Sequence, residues 1–80
     1  MKSREVADAT LYADIGALAG WSIEGTGVTY IRAGGVAGDI VLVIDADAQA
    51  TGTFARNLNV PGGAYVDVSG TMANGVLYFD

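Results

Sequence analysis

The chain has no cysteine, no histidine and a single proline among its 80 residues. Without cysteine there is no disulfide and no thiolate metal site. Without histidine the commonest general base and the usual zinc ligand are gone. Positive charge is scarce as well: four Lys and Arg face nine Asp and Glu, for a net charge of −5. That balance argues against a nucleic-acid binder, which needs a basic footprint. The longest purely aliphatic run, "IVLVI" at Ile40–Ile44, is far shorter than the roughly 20 residues of a membrane helix. Lys2 and Arg4 could open a secretory signal, but Glu5 and Asp8 interrupt what would have to follow. A soluble chain made in the cytosol is therefore expected.

Apolar residues are abundant, at 51%, and there are 12 glycines. Such a chain is too apolar to stay disordered. A single domain of this size buries only about 60% of its unfolded surface and is marginal by itself. Small domains compensate with disulfides, a metal or partners. With no cysteine or histidine, partners are the expected route.

Glycines punctuate the chain at close to the spacing of about 8–12 residues that marks a small all-β sandwich. "GALAGWSIEG" reads as a strand carrying Leu18, Trp21 and Ile23, with Gly20 as a bulge or close-approach point. "VTYIRA" alternates Val28, Tyr30 and Arg32 against Thr29, Ile31 and Ala33. "DIVLVID" is apolar on both parities, as expected of a central buried strand. "TFARNLNV" places Phe54 and Leu58 on one parity, with Val60 beside them. "AYVDVSG" sets Val66 and Val68 against Tyr65 and Asp67. "VLYFD" is the last strand. The expected core holds Leu18, Trp21, Ile23, Ile31, Val41, Val43, Val66, Val68, Leu77 and Phe79.

Two turns could close the final hairpin, Ser69-Gly70 and Asn74-Gly75. Asn-Gly is the stronger local signal because both residues tolerate positive φ. Near the N-terminus, Val6, Ala9, Ala13 and Ala17 recur at helix-like spacing. An alanine face buries little, so an extended arm over residues 1–9 is expected, followed by one domain over residues 10–80. Lys2 and Arg4 lie in that arm, away from the other two basic residues, Arg32 and Arg56. Left free it should be mobile. It is suited to reach a neighbouring subunit, with Lys2 and Arg4 on carboxylates there and Val6 in a small pocket. Removing it should then leave the melting temperature nearly unchanged.

Candidate chemistry is sparse. Asp45 and Asp47 have the spacing that opens a calcium loop. Positions 6 and 12 of that loop, which require Gly and Glu, hold Ala50 and Arg56. A solvated turn is the plainer reading. "AGGVAGD" is glycine-rich but lacks the Lys-Ser/Thr and helix start of a phosphate cradle, so it reads as a loop. Ser22, Ser69 and the threonines have no histidine to activate them. Glu24 and Asp67 read as outward strand charges that oppose edge-to-edge association. Trp21 reads as a core anchor before a ligand platform.

Three stretches together resemble a known family: "LAGWSIEGTGVTYIRAG", "GDIVLVI" and "VPGGAYVDVSGTMANGVLYF", with Gly20-Trp21-Ser22-Ile23, Ile31-Arg32-Ala33-Gly34, Gly63-Ala64-Tyr65-Val66-Asp67-Val68 and Gly75-Val76-Leu77-Tyr78 in the places of its strand motifs. They are similar to the small all-β virion proteins of tailed double-stranded-DNA bacteriophages. The resemblance spans most of residues 15–80. It departs at "DADAQATGTFARNLN", where a more regular strand and loop would stand, and it leaves out the arm. It implies a β-sandwich of jelly-roll type and a non-enzymatic virion protein with no cofactor, no metal, no nucleic acid and no membrane. The implied role is decoration or cementing of the capsid exterior, or a minor part at the neck or tail. Its partners would be the major capsid protein or other virion proteins, with copies associating in the virion. The family places a Ser-Gly turn before the last strand, which favours Ser69-Gly70. The interface residues expected on this reading are Lys2, Arg4, Val6 and Tyr12. A different reading is a carbohydrate- or receptor-binding module that uses Tyr12, Tyr30, Tyr65 or Tyr78.

Overall fold

The computed structural model describes residues 2–48 and 50–80. Its regular structure is all β: β1 (Lys2–Glu5), β2 (Thr10–Tyr12), β3 (Ala17–Ala33), β4 (Ile40–Asp45), β5 (Thr51–Asn59) and β6 (Ala64–Phe79). These make one six-stranded antiparallel sheet. β3 and β6 form its spine, paired from Leu18↔Phe79 to Ala33↔Ala64. At one end of this ribbon β1 lies on β6 and β5 on β3. At the other end β2 lies on β6 and β4 on β3.

The runs expected as four shorter strands are thus two long ones. Neither Ser69-Gly70 nor Asn74-Gly75 is a hairpin turn; both lie inside β6. A turn would fold the flanking runs onto each other, but each run already has β3 as its partner along its length. The glycines bend the ribbon instead. Gly27 and Gly70 face each other across it, with φ of 89° and 123°. A β-carbon on Gly27 would stand 2.2 Å from the Ser69 carbonyl oxygen, and one on Gly70 2.7 Å from that of Thr26. Backbones this close, in this conformation, admit only glycine. Beside them the register steps from Glu24↔Asn74 to Gly25↔Met72, which makes Ala73 a bulge that adds twist.

The bend brings the two ends of the ribbon over one core. Leu18, Ile23, Leu77 and Phe79 from one end meet Ile31, Ala64 and Val66 from the other. Ile15, Ile44 and Val60 complete the cluster. Each of these side chains larger than that of Ala64 contributes roughly 1.5–3 kcal/mol when fully buried. Trp21, Val41 and Val68 pack against the cluster half-buried. Trp21 lies over Gly52, its partner on β5, and its ring is 5.5 Å from that of Phe54. Gly20 is the expected irregular point: the β3–β5 register jumps there, setting β5 residues 54–57 against Ala19 alone.

Two expectations fail in ways that matter for function. "DIVLVID" is not a central strand. β4 is an outer strand that pairs only with β3, and Val43 is 52% exposed. Val43 faces Tyr30 on the outward parity, while Ile44 faces buried Thr29. The arm over residues 1–9 is the second. Its residues 2–5 are β1, in register with Val76–Phe79. Val6 is buried, its N–H donates to the Gly75 carbonyl, and Asp8 accepts from the Val68 N–H. Lys2–Glu5 are polar or charged and all exposed, so no apolar alternation marks them as a strand; backbone pairing with β6 and the buried Val6 hold them. Met1 lies outside the described residues.

Candidate functional site: an apolar outer face

Of the four expected interface residues, three are engaged within the chain. The Arg4 guanidinium forks onto the Asp14 carboxylate at 2.9 and 2.5 Å. It also lies 5.7 Å from the centre of the Tyr12 ring and 5.9 Å from that of Phe79. Val6 fills this chain's own core. The Tyr12 hydroxyl accepts the Ala7 N–H at 2.8 Å. Lys2, exposed, stands 6.0 Å over Phe79. The carboxylate and pocket expected on a neighbour are therefore supplied in cis, because β1 and the Tyr12–Asp14 turn close the same edge of the core.

Asp45 and Asp47 form a turn: the Asp47 N–H donates to Asp45 Oδ1 at 3.1 Å. Gln49, in the same segment, lies outside the described residues. No group of three or more carboxylates suited to a metal occurs among the described residues. "GGVAGD" links β3 to β4 without helix, and no described helix is long and apolar enough to cross a membrane. The depressions are shallow. One lies between Val6–Asp8 and the Ala73 bulge, another beside Trp21 and Tyr78.

The two outward surfaces of the sheet differ sharply in chemistry. Cross-strand partners share a face, so the register defines each surface. At the β1/β5 end the outward rows are Ser3–Tyr78–Gly20–Thr53, then Glu5–Val76–Ser22–Thr51, then Asn74–Glu24. Asn74 donates to Glu24 across the last row at 3.3 Å. This face is mostly hydroxyls, carboxylates and an amide.

At the β2/β4 end the rows are Leu11–Tyr65–Arg32–Ile40, then Asp67–Tyr30–Val43, then Ser69–Val28–Asp45. Leu11, Ile40 and Val43 are 42%, 45% and 52% exposed. Tyr30 and Tyr65 lie half-exposed between them. At the centre Arg32 Nε donates to Asp67 at 3.2 Å, and its Nη1 donates to the Gly38 carbonyl. An ion pair this exposed adds at most about 1 kcal/mol to stability. It fixes the guanidinium on the outward face, where Tyr65 is the cross-strand partner of Arg32. Tyrosine and arginine amid aliphatics are the enriched composition of protein interfaces, and a contiguous apolar patch rimmed by polar groups marks an interaction site.

Glu24 and Asp67 point outward as the alternation indicated. The same alternation put Tyr30 with Arg32 and Tyr65 with Asp67. It could not show that these two pairs are adjacent, or that Leu11, Ile40 and Val43 extend the surface. No family model, curated protein or solved structure matches the chain.

Proposed function

We propose that the protein is a non-enzymatic structural part of a tailed-bacteriophage virion, seated by its apolar outer face on the capsid exterior. The observation that carries the docking reading is the contrast between the two outward surfaces. One is built for water; the other offers Leu11, Tyr65, Tyr30, Ile40 and Val43 without a covering layer. The phage setting comes from the sequence resemblance.

The topology supports a finer reading of the fold. Cutting β3 and β6 at their glycines gives eight segments in two rows, 1-8-3-6 and 2-7-4-5. Segments 1 and 8, 2 and 7, 3 and 6, and 4 and 5 are each paired. That is one long hairpin rolled over itself, a small jelly-roll sandwich of the architecture used in capsid and lectin domains. Fold alone does not assign function, so the outer face bears the argument.

As a decoration protein it would bind the assembled lattice and not separated subunits. Its binding free energy then stabilises the shell by mass action, and many copies act together through multivalency. Tyr30 and Tyr65, neighbouring on one face beside Arg32 and Asp67, also suit a sugar-stacking surface. They favour the second reading, a glycan- or receptor-binding part at the neck or tail. Quantitative mass spectrometry of purified particles separates these. Hundreds of copies per particle support decoration. About a dozen, with binding on a glycan array, supports the tail reading. Absence from particles contradicts both.

A further inference from the structure

Four strands have an outer edge, and three of those edges are blunted in ways that suppress pairing with other chains. β1 carries Lys2, Arg4 and Glu5 in its four residues. β2 is only three residues long. β5 is interrupted by the excursion over residues 54–57. β4 is different. It is "IVLVID", with no Lys and no Pro. Its one irregularity, at Val41, lies near its start and leaves Leu42–Asp45 in regular register with Val28–Ile31. Among the described residues, Ile40–Ile44 hydrogen-bond through the backbone to β3 alone. The outer edge of β4 therefore presents an unused row of amides and carbonyls beside the apolar face.

Acidic side chains bracket this edge. Asp39 precedes β4, and Asp45 and Asp47 end it; all three are exposed. None of them is ion-paired among the described residues. We propose that β4 accepts an added strand from a different protein, an extended segment with apolar residues on one face over the length of β4 and Lys or Arg at both ends. The backbone ladder gives such a complex its affinity and alternate side chains give it specificity. Basic ends match the acids whichever way the strand runs. This rests on the docking reading above and names the partner's chemistry.

A second copy of this chain fits poorly. Antiparallel pairing across a two-fold axis must keep outward residues on one face, so the central pair is Leu42 with Leu42 or Val43 with Val43. Val41 is the extra residue of a bulge, so Ile40 and Val41 share one place; the first register then sets Asp39 opposite Ile44, beside Asp45, and the second sets it opposite Ala46, between Asp45 and Asp47. Each register repeats this crowding of like charge at both ends, which opposes the pairing.

The test uses the full chain, isotope-labelled, with the synthetic peptide KKVTVTVKK as probe. The expected result is a Kd of about 1 mM or tighter, with amide shifts and exchange protection confined to Leu42–Asp45 and their neighbours. A glutamate-flanked peptide, EEVTVTVEE, should bind at least about tenfold more weakly. The double variant Asp39→Lys/Asp47→Lys should reverse that preference. No response at β4, equal binding by an N-methylated peptide that cannot form the ladder, or indifference to flanking charge would overturn the proposal. So would a peptide-free dimer with protected β4 amides, which would give the edge to a second copy. The variant Leu11→Ser/Tyr65→Ser, on the far side of the face, separates this inference from the docking reading. It should release the protein from particles and leave peptide binding intact. If particles still retain the variant, the docking reading fails. If wild type docks on particles but ignores the peptide, the strand-addition reading alone fails.

Discussion

Gly27→Ala should be among the most damaging single-atom additions to this chain. Gly27 has φ of 89°, and the new β-carbon would begin 2.2 Å from the Ser69 carbonyl oxygen and 3.0 Å from Gly70 Cα. Relief requires β3 and β6 to part by about 1 Å at the bend that folds the ribbon, where both neighbours are backbone and cannot rotate aside. The left-handed side of φ costs an alanine about 1–2 kcal/mol. Forcing extra volume into a closed contact costs about 1–3 kcal/mol. The sum, about 2–5 kcal/mol, is a large share of the about 4–12 kcal/mol expected for a domain of this size. At about 4–8 °C per kcal/mol, the melting temperature should fall by roughly 8–40 °C. Gly16→Ala is the matched control. Nothing lies within 4 Å of its added carbon and its φ is not positive. It should leave stability unchanged or raise it by about 0.4–1 kcal/mol through the unfolded state. Thermal melts followed by circular dichroism read both. If Gly27→Ala melts within two or so degrees of Gly16→Ala, the bend is not where the register places it.

Ile31→Ala should cost about 2–5 kcal/mol in chemical denaturation, because Ile31 is fully buried; Val43→Thr should stay within about 0.5 kcal/mol. Equal losses would mean that β4 is buried after all. Removing residues 1–9 should lower the melting temperature by at least about 10 °C, since it strips β1, empties the Val6 site and leaves the Val68 N–H without Asp8. An unchanged melt would restore the free arm. Trp21→Ala should cost roughly 2–4 kcal/mol, somewhat under the value for a fully buried indole, because Trp21 is half-exposed over Gly52. A near-neutral variant would detach it from the core.

Parity was the most legible part of the sequence. The alternation in "VTYIRA" and "AYVDVSG" sorted Ile31 and Val66 to the inside and Tyr30, Arg32, Tyr65 and Asp67 to the outside, and the structure has them so. Pairing was not legible. Gly70 and Gly75 carry the local signature of turns, yet that signature is shared by any position needing positive φ or a missing side chain. Only the partner strand decides between a turn and a bend. The same holds for "IVLVI". A run apolar on both parities fits a buried strand, and it fits equally an outer strand whose second face awaits a partner. Arg4 illustrates a third limit, because its carboxylate lies ten residues away on a separate strand connection and no local pattern links the two. Ile15 and Val60, both fully buried, sit in short connections without alternation and offered no periodic signal.

The central claim is that the protein docks through the β2/β4 outer face and leaves the β1/β5 outer face in solvent. The tyrosines supply a reporter on each. Tyr30 and Tyr65 lie on the first, Tyr78 on the second. Hydroxyl-radical footprinting of the protein alone and on purified phage particles measures all three in one experiment. The account predicts that Tyr30 and Tyr65 lose most of their reactivity on particles while Tyr78 keeps its own. Protection of Tyr78 with Tyr30 and Tyr65 unchanged would contradict it.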